Sequence, residues 1–344
     1  MSRNAPRGHR AAQVAEAGAP VRVVPVRERR PGAGEVRVQV AAAGICGADR
    51  GTVRDPAPAT GFPVTPGHEA AGVLAELGPG VRGWEVGERV AVGWFGGSCG
   101  HCRACRDGDL VQCPARRIPG LSYPGAWSTT LTVPAAALAR IPDGLSFTEA
   151  APFGCAGVTT FNALRLSGAR PGDRVAVLGI GGLGHLAVRF AAAMGFETVA
   201  IGRCEDKREV ARELGAHGYI DAARQAPGAA LKELGGARLI LSTAASSEPL
   251  AELAHGLAPH GRLTVVGFDG APLHLPLGNL VMNAQSITGH LTGTPSETEQ
   301  AMRFALATGV RPWVQPVPLD DVRQALDTLR EGRARFRLVL TTGA

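Results

Sequence analysis

Seven cysteines stand in this chain of 344 residues, and their spacing sorts them by chemistry. Cys99, Cys102, Cys105 and Cys113 follow a C-x₂-C-x₂-C-x₇-C pattern inside a glycine-rich loop, residues 96–114. Four closely spaced thiolates can close a tetrahedral shell around zinc and leave no position for substrate, which is the arrangement of a structural site. An iron–sulfur cluster fits the spacing less well and finds no second electron-transfer motif. His101 lies within the loop, but four sulfurs suffice without it. Cys46 and Cys155 lie in separate segments, Gly44-Ile45-Cys46-Gly47-Ala48-Asp49 and Gly154-Cys155-Ala156-Gly157, with Pro66-Gly67-His68-Glu69 between them. Two thiolates and an imidazole suit a zinc whose fourth position stays open for water or substrate. Taken singly, each is an ordinary buried side chain; their weight comes from occurring together. Cys204 has no partner in either pattern.

A third motif is backbone chemistry. Gly179-Ile180-Gly181-Gly182-Leu183-Gly184 follows an apolar strand, 174–178, and opens an apolar helix, 183–194. In that context the first glycine permits the sharp turn, the second lets backbone approach a pyrophosphate, and the third lets helix and strand pack closely. The phosphates then rest on the free amides of the helix N-terminus. The next strand ends in Ile201-Gly202-Arg203, where an acid would bind the ribose 2′-hydroxyl of NAD. Gly202 cannot do so and Arg203 suits a 2′-phosphate, so NADP(H) is expected over NAD(H). Glu205 and Asp206 are close enough to supply the missing acid if that expectation fails.

These residues need two kinds of framework. From His9 to about residue 140, short alternating segments (21–26, 35–40, 70–77, 88–92 and 126–133) are separated by Gly and Pro, which predicts a mostly β domain rich in loops. From about residue 171 strands alternate with helices: 198–201, helix 207–214, 219–220, 239–242, helix 249–257 and 263–266. That order predicts a doubly wound parallel sheet. After 288–292, a helix at 296–308, a Pro-rich stretch at 312–318, a helix at 320–331 and a strand at 337–340 close the chain and are expected to return to the first domain.

Composition excludes other classes. Hydrophobic residues make up 45% and charged residues 19%, the balance of a globular protein. The net charge of +6 is not clustered, since Arg and Glu interleave in runs such as Arg27-Glu28-Arg29-Arg30, so no nucleic-acid partner is expected. No run of about 18 apolar residues suggests a membrane span, and residues 1–8 lack an apolar stretch of signal-peptide length. A soluble, cytoplasmic protein is expected, in which cysteines serve metals or catalysis rather than disulfides.

In order, and over about residues 21–340, these motifs resemble the medium-chain zinc-dependent alcohol dehydrogenases, in the bacterial and yeast-like branch near the cinnamyl alcohol dehydrogenases. The resemblance implies an α/β chain: a GroES-like, mostly β catalytic domain over 1–155 and 293–344, and a doubly wound Rossmann cofactor domain over 156–292. It implies two zinc ions per chain, with the catalytic one on Cys46, His68 and Cys155. Glu69 would lie behind that metal as an alternate ligand, and Asp49 would orient His68 through its other ring nitrogen. Thr159, Gly179, Gly181, Gly182, Leu183, Gly184 and Arg203 would meet the cofactor, and Trp94 and Ala48 would line the substrate pocket. A small-molecule substrate and a homodimer or homotetramer complete the expectation.

The chain departs from the family at the proton relay. Members that oxidise simple alcohols usually carry Ser or Thr two residues after the first cysteine ligand, and often His three residues later. Here Ala48 and Gly51 stand there, and neither can pass a proton. Thr52 or a water could substitute in an alcohol dehydrogenase or aldehyde reductase. The alternative is an NADPH-dependent reductase of an activated C=C or C=N bond, to which such a relay is dispensable.

Overall fold

The computed structural model describes residues 8–54 and 61–343, so all but the last of the residues read for a signal peptide lie outside it. The chain divides into two compact units. The first takes in the chain up to Cys155, then Thr292–Arg303, then the chain from Pro312 onward. It begins with a small antiparallel pair, β1 (Arg10–Gln13) and β2 (Arg22–Pro25), and continues with β3 (Glu35–Gly44), β4 (Ala70–Leu77), β5 (Arg89–Val92), β6 (Thr130–Pro134) and β7 (Leu138–Arg140). In β3, Val36, Val38 and Val40 are buried while Glu35, Arg37 and Gln39 are half-buried, the period of two that lays one strand face on a core. Leu74, Val90, Val92, Leu131 and Val133 fill the same core.

The second unit, Ala156–Leu291 with Phe304–Arg311, holds β8 (Arg174–Leu178), β9 (Glu197–Gly202), β10 (Gly218–Asp221), β11 (Ala237–Ser242), β12 (Leu257–Val265) and β13 (Ser286–Gly289). They form one sheet in the order β10-β9-β8-β11-β12-β13, with every neighbouring pair parallel. The order reverses between β8 and β11, the switch point at which open α/β sheets take ligands beyond the strands' carboxyl ends. Val175, Ala176 and Val177 of β8 are fully buried, as expected of a strand covered on both faces. The helix Ala156–Arg165 has no clear signal in the sequence. Val158-Thr159-Thr160 is a β-branched run that favours helix weakly. Burial decides instead, since residues 156–164 are all enclosed, and Thr160 returns its hydroxyl to the Ala156 carbonyl at 2.8 Å.

The closing segment differs from expectation in two places. The helix Pro295–Thr308 starts on a reciprocal cap, in which Thr294 Oγ1 accepts from the Glu297 N–H and Glu297 Oε2 accepts from the Thr294 N–H. Its far end, Phe304, packs 5.4 Å from the ring of Phe161 and 6.0 Å from that of Phe190. Those aromatic contacts draw Phe304–Arg311 into the second unit rather than the first. The Pro-rich segment then forms a strand, β14 (Val314–Pro318), parallel to β15 (Arg337–Thr341). β14 is at the edge of the sheet β14-β15-β3-β4-β5-β7, where proline's missing N–H costs least. Among the described residues no helix is long and apolar enough to cross a membrane.

Candidate metal centre and cofactor turn

Three strand ends converge on one point of the first unit. β3 ends at Gly44, whose N–H donates to the Glu69 carbonyl at 2.8 Å just ahead of β4. β15 pairs with β3 through Val339 and Gly44, which brings Arg337 alongside. Cys46 therefore comes off the end of β3 beside His68 and Glu69. Cys155 arrives from the turn Ala151–Gly154, which crosses the end of β5 so closely that a Cβ on Gly93 would lie 2.2 Å from the Gly154 carbonyl oxygen. The donor atoms of Cys46, His68, Glu69 and Cys155 all lie within 4.8 Å of one another, and the cluster is buried or nearly so.

The chemistry of the set fits zinc. Thiolates about 2.3 Å from a tetrahedral zinc stand about 3.8 Å apart, and Cys46 Sγ and Cys155 Sγ are separated by 3.9 Å. His68 Nδ1 donates to Asp49 Oδ1 at 2.9 Å, while the other oxygen of Asp49 accepts from the Cys46 N–H at 2.9 Å. That leaves His68 Nε2, buried and without a hydrogen-bond partner, as the nitrogen free to coordinate. Without a metal the sulfurs divide their protons: the hydrogen bond from Cys155 draws Cys46 well below the usual thiol range, and the same bond, with burial, pushes Cys155 well above it. Burial opposes charge on His68, but Asp49 outweighs it and raises the imidazole. Zinc uptake is therefore expected to release protons, with affinity rising as pH rises. Asp49→Asn should weaken zinc affinity at this centre by about 10- to 100-fold, read by chelator competition; unchanged affinity would remove Asp49 from the orienting role.

The reading from sequence missed Arg337. One of its nitrogens, Nη2, donates to both oxygens of Glu69, at 2.6 and 2.5 Å, with both residues buried. Burial pushes the Glu69 carboxyl up to about 7, and Arg337 pulls the other way. Gly44 makes room for the pair, since a Cβ there would lie 1.9 Å from Glu69 Oε2. A charged residue opening an otherwise apolar strand was the only local signal.

In the cysteine lobe, Cys99 and Cys105, Cys102 and Cys113, and Cys113 and Cys99 are 4.0, 3.8 and 3.6 Å apart, again near the edges of a zinc tetrahedron. The backbone N–H groups of His101 and Cys102 pull the Cys99 thiol down to about 6. His101 Nδ1 lies 2.8 Å from the Cys99 carbonyl oxygen, outside the sulfur set.

In the second unit, Gly179 has φ +89°, and a Cβ on Gly184 would lie 1.7 Å from the Gly179 carbonyl oxygen, so the turn needs the first and last glycines for its own packing. A Cβ on Gly181 would meet nothing within 4 Å, which leaves the space a diphosphate would need. Gly182 and Leu183 lead into the helix Gly184–Ala193. Thr159 is buried on its helix, its hydroxyl 3.3 Å from the Leu291 carbonyl oxygen, and Arg203 is exposed after β9. Glu205, the nearer substitute acid, is engaged by Arg208. In the first unit, Trp94 is half-buried, its backbone N–H donating to the Gly154 carbonyl at 3.0 Å and Arg116 stacked over its ring. Ala48 is exposed beside Cys46, and Gly51 has open space where a side chain would start.

Comparison with known proteins identifies the family. Residues 32–143 match the alcohol dehydrogenase GroES-like domain, and residues 182–307 match the zinc-binding dehydrogenase family. An alcohol dehydrogenase of Aspergillus sp. (strain MF297-2) is 37% identical over 98% of this chain and 98% of its own length. One from Geobacillus stearothermophilus is 36% identical over 89% of this chain and 91% of its own. The structure of the CAD of Helicobacter pylori complexed with NADP(H) superposes with a TM-score of 0.86 at 25% identity, covering 97% of each chain.

Proposed function

The chain belongs to the zinc-binding alcohol dehydrogenases with a GroES-like domain, and from that premise we propose that it carries two zinc ions, one catalytic and one structural, and prefers NADP(H) to NAD(H). It transfers hydride between a nicotinamide dinucleotide and the carbonyl or alcohol group of a small molecule. The observation that supports this most directly is the buried set of Cys46, His68 and Cys155 with His68 Nε2 unpartnered. Zinc held there supplies Lewis acidity toward a carbonyl oxygen, and the nicotinamide supplies or accepts the hydride. Asp49 keeps His68 in the tautomer that offers Nε2, Glu69 stands behind the set as an alternate ligand, and Trp94 and Ala48 bound the space for substrate. Thr159 and the residues from Gly179 to Gly184 serve the cofactor, and Arg203 answers its 2′-phosphate.

Reduction of C=C or C=N bonds, raised by Ala48 and Gly51, is not favoured, because the curated relatives named above are alcohol dehydrogenases. Incubating the zinc-loaded protein with NADPH and an α,β-unsaturated aldehyde should yield the allylic alcohol; a saturated aldehyde would overturn the reading. The relay positions make a further test, since Ala48 is exposed and Gly51 has open space. A48S/G51H should raise alcohol oxidation by about 10²-fold, the lower end of what positioned proton-transfer groups contribute. No gain, with C=C or C=N reduction intact, would count against the alcohol dehydrogenase reading.

A homodimer or homotetramer is part of the proposal, supported by the edge position of β13 and by the exposed Leu277, Val281 and Met282 on the neighbouring helix Leu277–Met282. Cytoplasmic residence accords with cysteines assigned to metals.

A further inference from the structure

Gly202 ends β9, the position at which a dinucleotide-binding sheet places its ribose-binding acid. Its backbone does not demand glycine, because its φ is not positive. What excludes a side chain is Tyr219 on the adjacent strand, β10. A Cβ on Gly202 would lie 2.4 Å from Tyr219 Oη and 3.2 Å from two of its ring carbons. The phenol is anchored there: its hydroxyl donates to the Cys204 carbonyl at 2.5 Å, and Arg208 lies over the ring, 5.1 Å from its centre. Arg208 is in turn held by Glu205. Arg203, next along the chain, is exposed, and its side chain is in no ion pair or hydrogen bond among the described residues.

We propose that Tyr219 is a positioning residue for cofactor specificity: its phenol fills the volume that an acid at residue 202 would need and leaves Arg203 as the group facing the ribose 2′ substituent. The inference rests on the reading that the 2′-phosphorylated cofactor is preferred. It has a consequence that a simple acid-for-glycine rule lacks. Introducing the acid alone places it against the phenol, so recognition of the unphosphorylated ribose requires that Tyr219 be cut back as well.

The test is direct binding, by calorimetry, of NADPH, NADH, 2′,5′-ADP and 5′-AMP to the zinc-loaded wild type, Gly202→Asp, Tyr219→Ala, G202D/Y219A and G202D/Y219F. Wild type should bind 2′,5′-ADP at least about tenfold more tightly than 5′-AMP, the scale of one added hydrogen bond to a charged group. Gly202→Asp should weaken NADPH without improving NADH. G202D/Y219A should bind NADH about tenfold more tightly than Gly202→Asp does. G202D/Y219F removes only the hydroxyl and should recover part of that gain, which keeps the test readable if the alanine variant does not fold. Gly202→Asp alone gaining NADH affinity as large as that of G202D/Y219A would overturn the role of Tyr219. A wild type that binds 5′-AMP as tightly as 2′,5′-ADP would sink the NADP(H) reading instead, while the comparison of Gly202→Asp with the double variants would still decide for or against Tyr219.

Discussion

His68→Ala is expected to lower kcat for aldehyde reduction by at least about 10³-fold, because a Lewis acid stabilises developing charge by several kcal/mol and each 1.36 kcal/mol is tenfold in rate. His68 is the only imidazole in the buried donor set, and its Nε2 has no protein partner to lose. Removing it leaves two thiols and a carboxylate already engaged by Arg337, too few donors for a tight zinc site. Metal analysis should show the zinc content falling by about one ion per chain, with the ion of Cys99, Cys102, Cys105 and Cys113 retained. Circular dichroism should be unchanged. Activity within tenfold of wild type, with zinc lost, would remove the metal from the reaction.

Arg337→Met should carry the largest cost in stability. Glu69 and Arg337 are both buried and bonded to each other. Breaking such a pair from one side strands a charge, typically at about 3–5 kcal/mol, whereas replacing both partners can be close to neutral. Urea unfolding should therefore show Arg337→Met destabilised on that scale, and R337M/E69Q recovering much of the loss. A single variant within about 1 kcal/mol of wild type would place the pair among the weakly coupled ones. Glu69 belongs to the candidate donor set, so Arg337→Met should also loosen zinc at the proposed centre and leave the cysteine lobe unaffected.

The difference between His68 and Arg337 marks how far local pattern reaches. Cys99, Cys102, Cys105 and Cys113 are legible as a cluster by spacing alone, because a loop that short keeps its four sulfurs near one another. Gly179 to Gly184 is legible as a tight glycine turn because strand, turn and helix are consecutive in the chain. The alternation of β3 and the apolar β8 likewise follow from local periodicity. Cys46, His68 and Cys155 were legible as ligand types, since few other roles suit a cysteine and a histidine in that company.

Pairings across the chain were not legible. Glu69 and Arg337 lie 268 positions apart and meet because β15 adds antiparallel to β3. Gly202 and Tyr219 meet because β10 lies parallel to β9 at a register that brings the phenol over the glycine. Residue types and near-neighbour spacing determined the class of fold and singled out the candidate zinc ligands and the glycine turn. Strand register and long-range burial, which depend on how distant segments share one core, decided which charge balances Glu69, why Gly202 carries no side chain, and why a β-branched run folds as the helix Ala156–Arg165.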